Sequence, residues 1–380
     1  MAKKLILAVA GAGKTYYISR SINPLKKNLI LSFTHENIKN IRNELIDRFS
    51  GSVPENTLIM TFHAFLYRML IRPYEFTIFD RFKTPYFKTN GVTMKEALKS
   101  YKFLSPNKKE YNKGYHSISS IKHYLDANNS YYCSLMSELL LRLKPKKKSE
   151  HNFLQDILES VNQFYDDIYI DEFQDFRNYD YKLLMELANI AENIVLVGDF
   201  YQHSVTGKDS TGIPFEKKKR SLEYSEFIDY MKSNGFDINT EMLKFSRRCS
   251  EDVCLFIRQK LGIPIEGMGN HGKIIFFDPG NPSDSQQIKD IMHNDAIPKL
   301  VYNNAKNYPG CFINWSYSKG DTFEDVCVIL TDKTAKVCQD DWKCCLTDMV
   351  RNKFYVALTR AKHNVYLIPL KKLKEQKRKT

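Results

Sequence analysis

Residues 4–15 read KLILAVAGAGKT, an apolar run that passes straight into a small-residue turn ending in Lys-Thr. Residues 4–9 have the uninterrupted apolar character of a central parallel strand. Residues 10–15, AGAGKT, then supply a loop and the start of a helix, in the order a phosphate-binding loop requires. Small side chains let the backbone curl so that its amides point at phosphate oxygens, while the helix start offers its positive end. In that geometry Ala10, Gly11, Ala12 and Gly13 form the cradle, Lys14 holds the β and γ phosphates of a nucleotide, and the Thr15 hydroxyl ligates magnesium. Ala8 stands where the general pattern has its first glycine. The competing reading is a helix N-terminus whose small residues serve packing.

Such a loop needs a second strand ending in acids, because magnesium takes hard oxygen ligands and the attacking water needs a base. Residues 167–172, DIYIDE, meet that requirement. Asp171 would act on magnesium, mostly through its water shell, and Glu172 would polarise the water. A further apolar strand, IVLVGD at 194–199, ends in Asp199 and is followed by Gln202, which suits a sensor of the γ-phosphate. Either aspartate could instead cap the helix that follows it.

The formal charge of +13 and the isoelectric point near 9.1 favour an anionic partner, since clustered Lys and Arg gain affinity for phosphates by releasing counterions. A chain of 380 residues exceeds what one core usually organises, so two main domains are expected. No apolar run approaches the roughly 20 residues needed to cross a bilayer, so no membrane role is expected. The eight cysteines form no CxxC pair and follow no secretion signal; they read as reduced thiols of a cytoplasmic protein. Cys338, Cys344 and Cys345 lie close in sequence but lack the partners of a zinc site.

The order of further motifs resembles that of the UvrD/Rep/PcrA-like superfamily 1A helicases through nearly the whole chain. AVAGAGKT at 8–15 is similar to the family's first motif, SFTHENIKNI at 32–41 to motif Ia, and TFHAFLYRML at 61–70 to motif Ib. IDEFQDF at 170–176 resembles its DExxQD element and VGDFYQ at 197–202 its motif III. FSRRCS at 245–250 resembles motif IV, SKGDTFEDV at 318–326 motif V, and FYVALTRAK at 354–362 motif VI. Carried over by position, the resemblance implies that Arg248 and Arg360 reach the γ-phosphate from a second domain, with Arg247 as the alternative to Arg248. A fixed guanidinium there stabilises charge developing on the transferred phosphoryl group. The same resemblance implies that Thr34, Thr61, Phe62 and His63 line single-stranded nucleic acid, with Phe62 stacking on a base, and that Ser318 and Lys319 grip it from the second domain.

Several positions depart from the family. Its upstream glutamine segment, which reads adenine, has no counterpart before the first strand at Lys3; Tyr16 or Tyr17 could flank the base or pack in the sheet. After Gln202 the chain reads HSVTGKDSTGIPF where the family has a base-stacking aromatic, a role His203 could take or leave for packing. Thr322 replaces the usual glutamate of motif V. About 70 residues separate Arg248 from Ser318, too few for the family's large second-domain insertion, whereas the roughly 110 from His63 to Asp171 allow a compact insertion in the first. That insertion is expected to be mainly helical, with helices near MKEALKSYKFL at 94–104 and SSIKHYLDANN at 119–129. Basic clusters stand at Lys144 and Lys146 to Lys148, at Lys217 to Arg220, and in the tail from Lys371.

These readings predict an α/β fold of two RecA-like P-loop NTPase domains with parallel sheets: residues 1–67 and 150–243 form the first, ATP-binding domain, 68–149 its helical insertion, and 244–380 the second domain. The expected function is an ATP- and Mg2+-dependent DNA helicase or translocase that moves 3′ to 5′ on single-stranded DNA or a tailed duplex. The alternative is an ATP-controlled nucleic-acid-binding switch, or an accessory subunit for a nuclease or replication partner, with little unwinding alone. RNA is a further possible substrate.

Overall fold

The computed structural model describes residues 2–105, 108–145, 147, 149–203, 212–218, 220–277, 281, 283–338 and 346–370. Lys146, Lys148, Lys219, Cys344, Cys345, the tail from Lys371 and residues 204–211 of the altered stretch after Gln202 lie outside them.

Strand β1 (Ala2–Ala8) leads into helix α1 (Lys14–Ser21), followed by β2 (Asn28–Ser32), α2 (His35–Arg48) and β3 (Thr57–Thr61). The chain returns through α3 (Phe153–Phe164), β4 (Asp167–Ile170), α4 (Asn178–Ile190) and β5 (Asn193–Gly198), then α5 (Tyr224–Ser233) and β6 (Asp237–Leu243). Their strand order is β6-β1-β5-β4-β2-β3. A second sheet follows α6 (Glu251–Leu261). Its elements are β7 (Ile274–Phe276), α7 (Asp284–His293), β8 (Lys299–Val301), β9 (Phe312–Asn314), β10 (Val326–Leu330), α8 (Asp348–Leu358) and β11 (Val365–Pro369). Its order is β7-β11-β10-β8-β9, with every pairing parallel. This is the α/β architecture of parallel sheets expected for RecA-like domains.

Local sequence explains the elements. Leu29 to Leu31 and Val326 to Val328 are fully buried, as central strands covered on both faces must be, and so they read as unbroken apolar runs. Thr34 caps α2 by accepting the Asn37 amide at 3.1 Å. Ser250 caps α6, whose first turn holds Glu251 and Asp252; the helix stops at Gly262, with φ of 65°.

Contacts divide the chain into two compact units. One comprises Met1–Lys3, Ile22–Ile170 and Phe176–Val195. In it β2 pairs in parallel with both β3 and β4. The other comprises Lys4–Ser21, Asp171–Asp175 and Leu196–Thr380, and holds the parallel β1–β6 pair and the second sheet. This division differs from the domain limits expected from sequence. The phosphate-loop segment and the acidic turn go with the second half because their partners are there: Gly11 accepts the Arg247 amide at 2.9 Å, and Lys319 pairs with Asp175.

The segment 68–149 also departs from expectation. Its described helical elements are short turns such as Glu75–Arg81, Ile121–Tyr124 and Met136–Leu141. The expected helix over 94–104 is replaced by an extended strand, Tyr101–Ser105, paired antiparallel with Lys108–Tyr111. The sequence Ser-Pro-Asn at 105–107 is a turn signal, and cross-strand pairing outweighs the helical pattern before it. The expected helix over 119–129 shrinks to one turn because the Asp126 carboxylate takes the amides of Asn128 and Ser130, each at 2.9 Å. Such a side chain offers the backbone an alternative to helix.

Candidate active site

The loop after β1 is shaped by two glycines in the left-handed region, Gly11 with φ of 73° and Gly13 with φ of 86°. A β-carbon on Gly11 would sit 2.7 Å from Arg248 Cβ and 2.8 Å from Ser246 Oγ, so no other residue fits. Helix α1 begins at Lys14, which leaves the amides of its first turn without helical acceptors. Ala10, Gly11, Ala12, Gly13, Lys14 and Thr15 are thus gathered as a small-residue cradle at a positive helix end. Thr15 offers a hydroxyl and Asp171 a carboxylate, both hard oxygens, so the donor set suits a nucleotide with a divalent cation.

Lys14 Nζ lies 3.3 Å from Glu172 Oε1. Lys319 Nζ lies 3.7 Å from Glu172 Oε2 and bonds both oxygens of Asp175, at 2.7 and 2.8 Å. Gln174 donates its side-chain amide to Glu172 and accepts the Asp199 amide at 2.9 Å. Burial alone would raise the Glu172 carboxyl, but Lys14 and Lys319, with the Gln174 hydrogen bond, hold it down at about 2. Glu172 is therefore ionised at neutral pH, in the form that accepts a proton or orients a water.

Asp199 is fully buried. Its Oδ1 accepts the Tyr201 amide at 3.0 Å and its Oδ2 the Tyr355 hydroxyl at 3.1 Å. The same hydroxyl accepts the Ala10 amide at 2.8 Å. Gln202 is buried at the end of the short turn Phe200–Gln202.

Two arginines lie together behind these groups. Arg248 Nη1 donates to the Thr359 carbonyl at 3.1 Å. Arg360 donates through Nε to the Val356 carbonyl at 2.8 Å and through Nη1 to the Ser318 and Asp321 carbonyls, each at 3.3 Å. Burial and the neighbouring Arg248 lower Arg360 to about 10, leaving it cationic at neutral pH. Glu172 acts electrostatically on both guanidiniums. Arg247, the alternative to Arg248, is exposed; its side chain runs past Gly13 and its guanidinium lies 4.9 Å from the Tyr16 ring centre.

The residues expected on nucleic acid fare unevenly. Thr34 is exposed at the start of α2, and Thr61 caps the following turn by accepting the Ala64 amide at 3.2 Å. His63 is partly covered, and burial lowers it into its neutral form. Phe62 corrects the expectation: it is 1% exposed, its ring 4.8 Å from Phe176 and 5.7 Å from Phe33, so no face is open to a base. Ser318 is also buried, and its hydroxyl donates to the Trp315 carbonyl at 2.8 Å instead of reaching a phosphate. Lys319 is committed to the acidic turn. His203 is buried and stacks on Phe215, with centres 4.6 Å apart and planes 4° apart, so it is a packing residue and no substitute for the family's base-stacking aromatic.

Sequence reasoning quoted Gln174, Asp175 and Tyr355 inside their motifs but assigned them no role.

The AAA domain family matches residues 2–208, and the viral superfamily 1 RNA helicase core domain family matches residues 119–368. A probable DNA helicase II homolog of Mycoplasma genitalium is 22% identical over 351 residues, covering 83% of this chain and 46% of the relative. The ATP-dependent DNA helicase PcrA of Bacillus subtilis is 24% identical over 246 residues, covering 56% of this chain and 33% of the relative. The chain thus spans less than half the length of either. The solved structure of the PRRSV helicase aligns with 98% of this chain and 53% of its own at 14% identity and a TM-score of 0.44.

Two outcomes follow. Phe62→Ala is expected to cost about 3–5 kcal/mol of folding stability, because it empties a packed aromatic site. Denaturant unfolding measures this; unchanged stability with weakened single-strand binding would restore Phe62 to a stacking role. The second concerns Asp199, whose carboxyl burial pushes up to about 6, against the lowering effects of Lys14, Tyr355 and the Tyr201 amide. Because this exceeds the ordinary 3.8, the group favours the fold below pH about 4 and becomes a cost as pH rises through about 6. Asp199→Asn should therefore gain up to about 3 kcal/mol at pH 8 and lose that gain by pH 4. A difference independent of pH would contradict the assignment.

Proposed function

We propose that this chain, which belongs to the superfamily 1 helicases and is related to their UvrD/Rep/PcrA-like members, is an ATP-driven motor on single-stranded DNA. The observation that carries the reading is the ionised Glu172, held between Lys14 of the phosphate loop and Lys319, within electrostatic reach of Arg248 and Arg360. Ala10 to Thr15 hold the triphosphate, with Lys14 on its β and γ phosphates. Glu172 takes a proton from the water that attacks the γ-phosphorus, while the bond to the ADP oxygen breaks. Arg248 and Arg360 stabilise the charge that develops. Gln202 senses the γ-phosphate. Magnesium, bound by Thr15 and by Asp171 through water, would neutralise phosphate charge. Two RecA-like domains, with limits near residues 67, 150 and 243, would open and close with each turnover, and the family resemblance supports movement 3′ to 5′.

The nucleic-acid contacts are read as Thr34, Thr61 and His63 in one unit and, in the other, as Lys319 once it leaves Asp175. A second reading, an ATP-controlled binding switch or accessory subunit for a nuclease or replication partner, is favoured by one observation: His203 is locked into packing, so the base-stepping aromatic of the family has no replacement at that position. Among the described residues no helix is long and apolar enough to cross a membrane.

Steady-state ATP hydrolysis titrated with single-stranded DNA, duplex DNA and RNA tests the motor. Single-stranded DNA is expected to raise turnover at least about tenfold, and Lys14→Ala to lower it at least about 100-fold. No stimulation by any nucleic acid would sink the motor reading. Stimulation without displacement of a tailed duplex strand would favour the switch, and stronger stimulation by RNA would reassign the substrate.

A further inference from the structure

Helix α8 presents one face, residues 351, 352 and 355, to the segment that follows β5. The Arg351 guanidinium lies 5.5 Å from the Tyr201 ring centre, Asn352 donates to the His203 carbonyl at 3.1 Å, and Tyr355 donates to Asp199 at 3.1 Å. Residues 199, 201 and 203 are therefore each engaged by that face. Tyr355 does more than its neighbours, since its hydroxyl also accepts the buried Ala10 amide of the phosphate loop.

Followed onward, these contacts close a circuit. From Ala10 it runs through Tyr355 to Asp199, from the Asp199 amide to Gln174, from Gln174 to Glu172, and from Glu172 to Lys14, back on the same loop. Five positions beyond Tyr355 stands Arg360, whose guanidinium is held by the carbonyls of Val356, Ser318 and Asp321. A shift of α8 against the phosphate loop would thus move Arg360 and break a hydrogen bond at the same time.

We infer that Tyr355 is a positioning residue for phosphoryl transfer: its hydroxyl ties the first amide of the phosphate loop to the strand end at Asp199, and so fixes the helix that presents Arg360. It is fully buried, and its hydroxyl is engaged by the Ala10 amide and the Asp199 carboxylate. Its removal leaves the cradle and Lys14 in place, so nucleotide binds as before, but the Ala10 amide loses its acceptor, Asp199 loses a donor, and the register between α8 and the loop is no longer set. The effect belongs to turnover and not to ground-state binding.

The inference rests on the ATPase reading above, and the experiment separates the two. In the full chain with single-stranded DNA, Tyr355→Phe is expected to lower kcat about tenfold while KM for ATP stays within about threefold. Because Tyr355 acts through Arg360, adding Tyr355→Phe to Arg360→Ala should lower kcat by less than about twofold further. A kcat within twofold of the unaltered chain, a loss carried by KM, or full multiplication of the two effects would overturn the coupling. If Tyr355→Phe does not fold, Asp199→Asn decides: it keeps the shape but weakens the acceptor, so kcat should fall about threefold at constant KM, and an unchanged kcat overturns the inference. An unaltered chain with no stimulated turnover would defeat the motor reading instead.

Discussion

The site depends on a missing β-carbon. Gly11 lies so close to Ser246 and Arg248 that any side chain would collide with both, and the Arg247 amide closes the contact by donating to the Gly11 carbonyl at 2.9 Å. Through that contact the phosphate loop is registered on the turn that carries Arg248, and Arg248 in turn rests on Thr359, next to Arg360. A loop of ordinary residues could present amides to a phosphate, but it could not bring the guanidiniums this near.

Around that registration, charge does the second part of the work. Two lysines, two arginines and four carboxylates, those of Asp171, Glu172, Asp175 and Asp199, share a largely buried region, where unpaired charge would be costly. The cost is met by pairing: Lys319 saturates Asp175, Lys14 and Lys319 hold Glu172 ionised, and Asp199 takes neutral donors. Glu172 and Asp199 are consequently driven in opposite directions, Glu172 down to about 2 and Asp199 up to about 6. Lys14 and Lys319 thus favour the charged form of Glu172, whereas burial favours the protonated form of Asp199.

Much of this was legible in the sequence because it is local. A strand, small residues and Lys-Thr specify a phosphate loop within a dozen positions, and DIYIDE and IVLVGD announce strands ending in acids. What was not legible depends on partners distant in sequence. TFH does not say which way Phe62 points, and the ring turns inward because Phe33 and Phe176 complete an aromatic cluster there. Ser318 is buried by Trp315 and the Arg360 contact, neither visible from SKG alone. The segment 94–104 has a helical pattern, yet from Tyr101 it forms a strand paired antiparallel with Lys108–Tyr111. Tyr355 lies within FYVALTRAK at 354–362, but its hydroxyl answers to residues 345 and 156 positions away.

Glu172 is the proposed base of an ATP-hydrolysing site built on Lys14. Its most direct test is Glu172→Gln, assayed for ATP binding by equilibrium titration and for hydrolysis by single turnover in the presence of single-stranded DNA. The account predicts ATP affinity within a few-fold of the unaltered chain and a hydrolysis rate lowered at least about 100-fold. Hydrolysis that persists within about twofold, with binding intact, would contradict it.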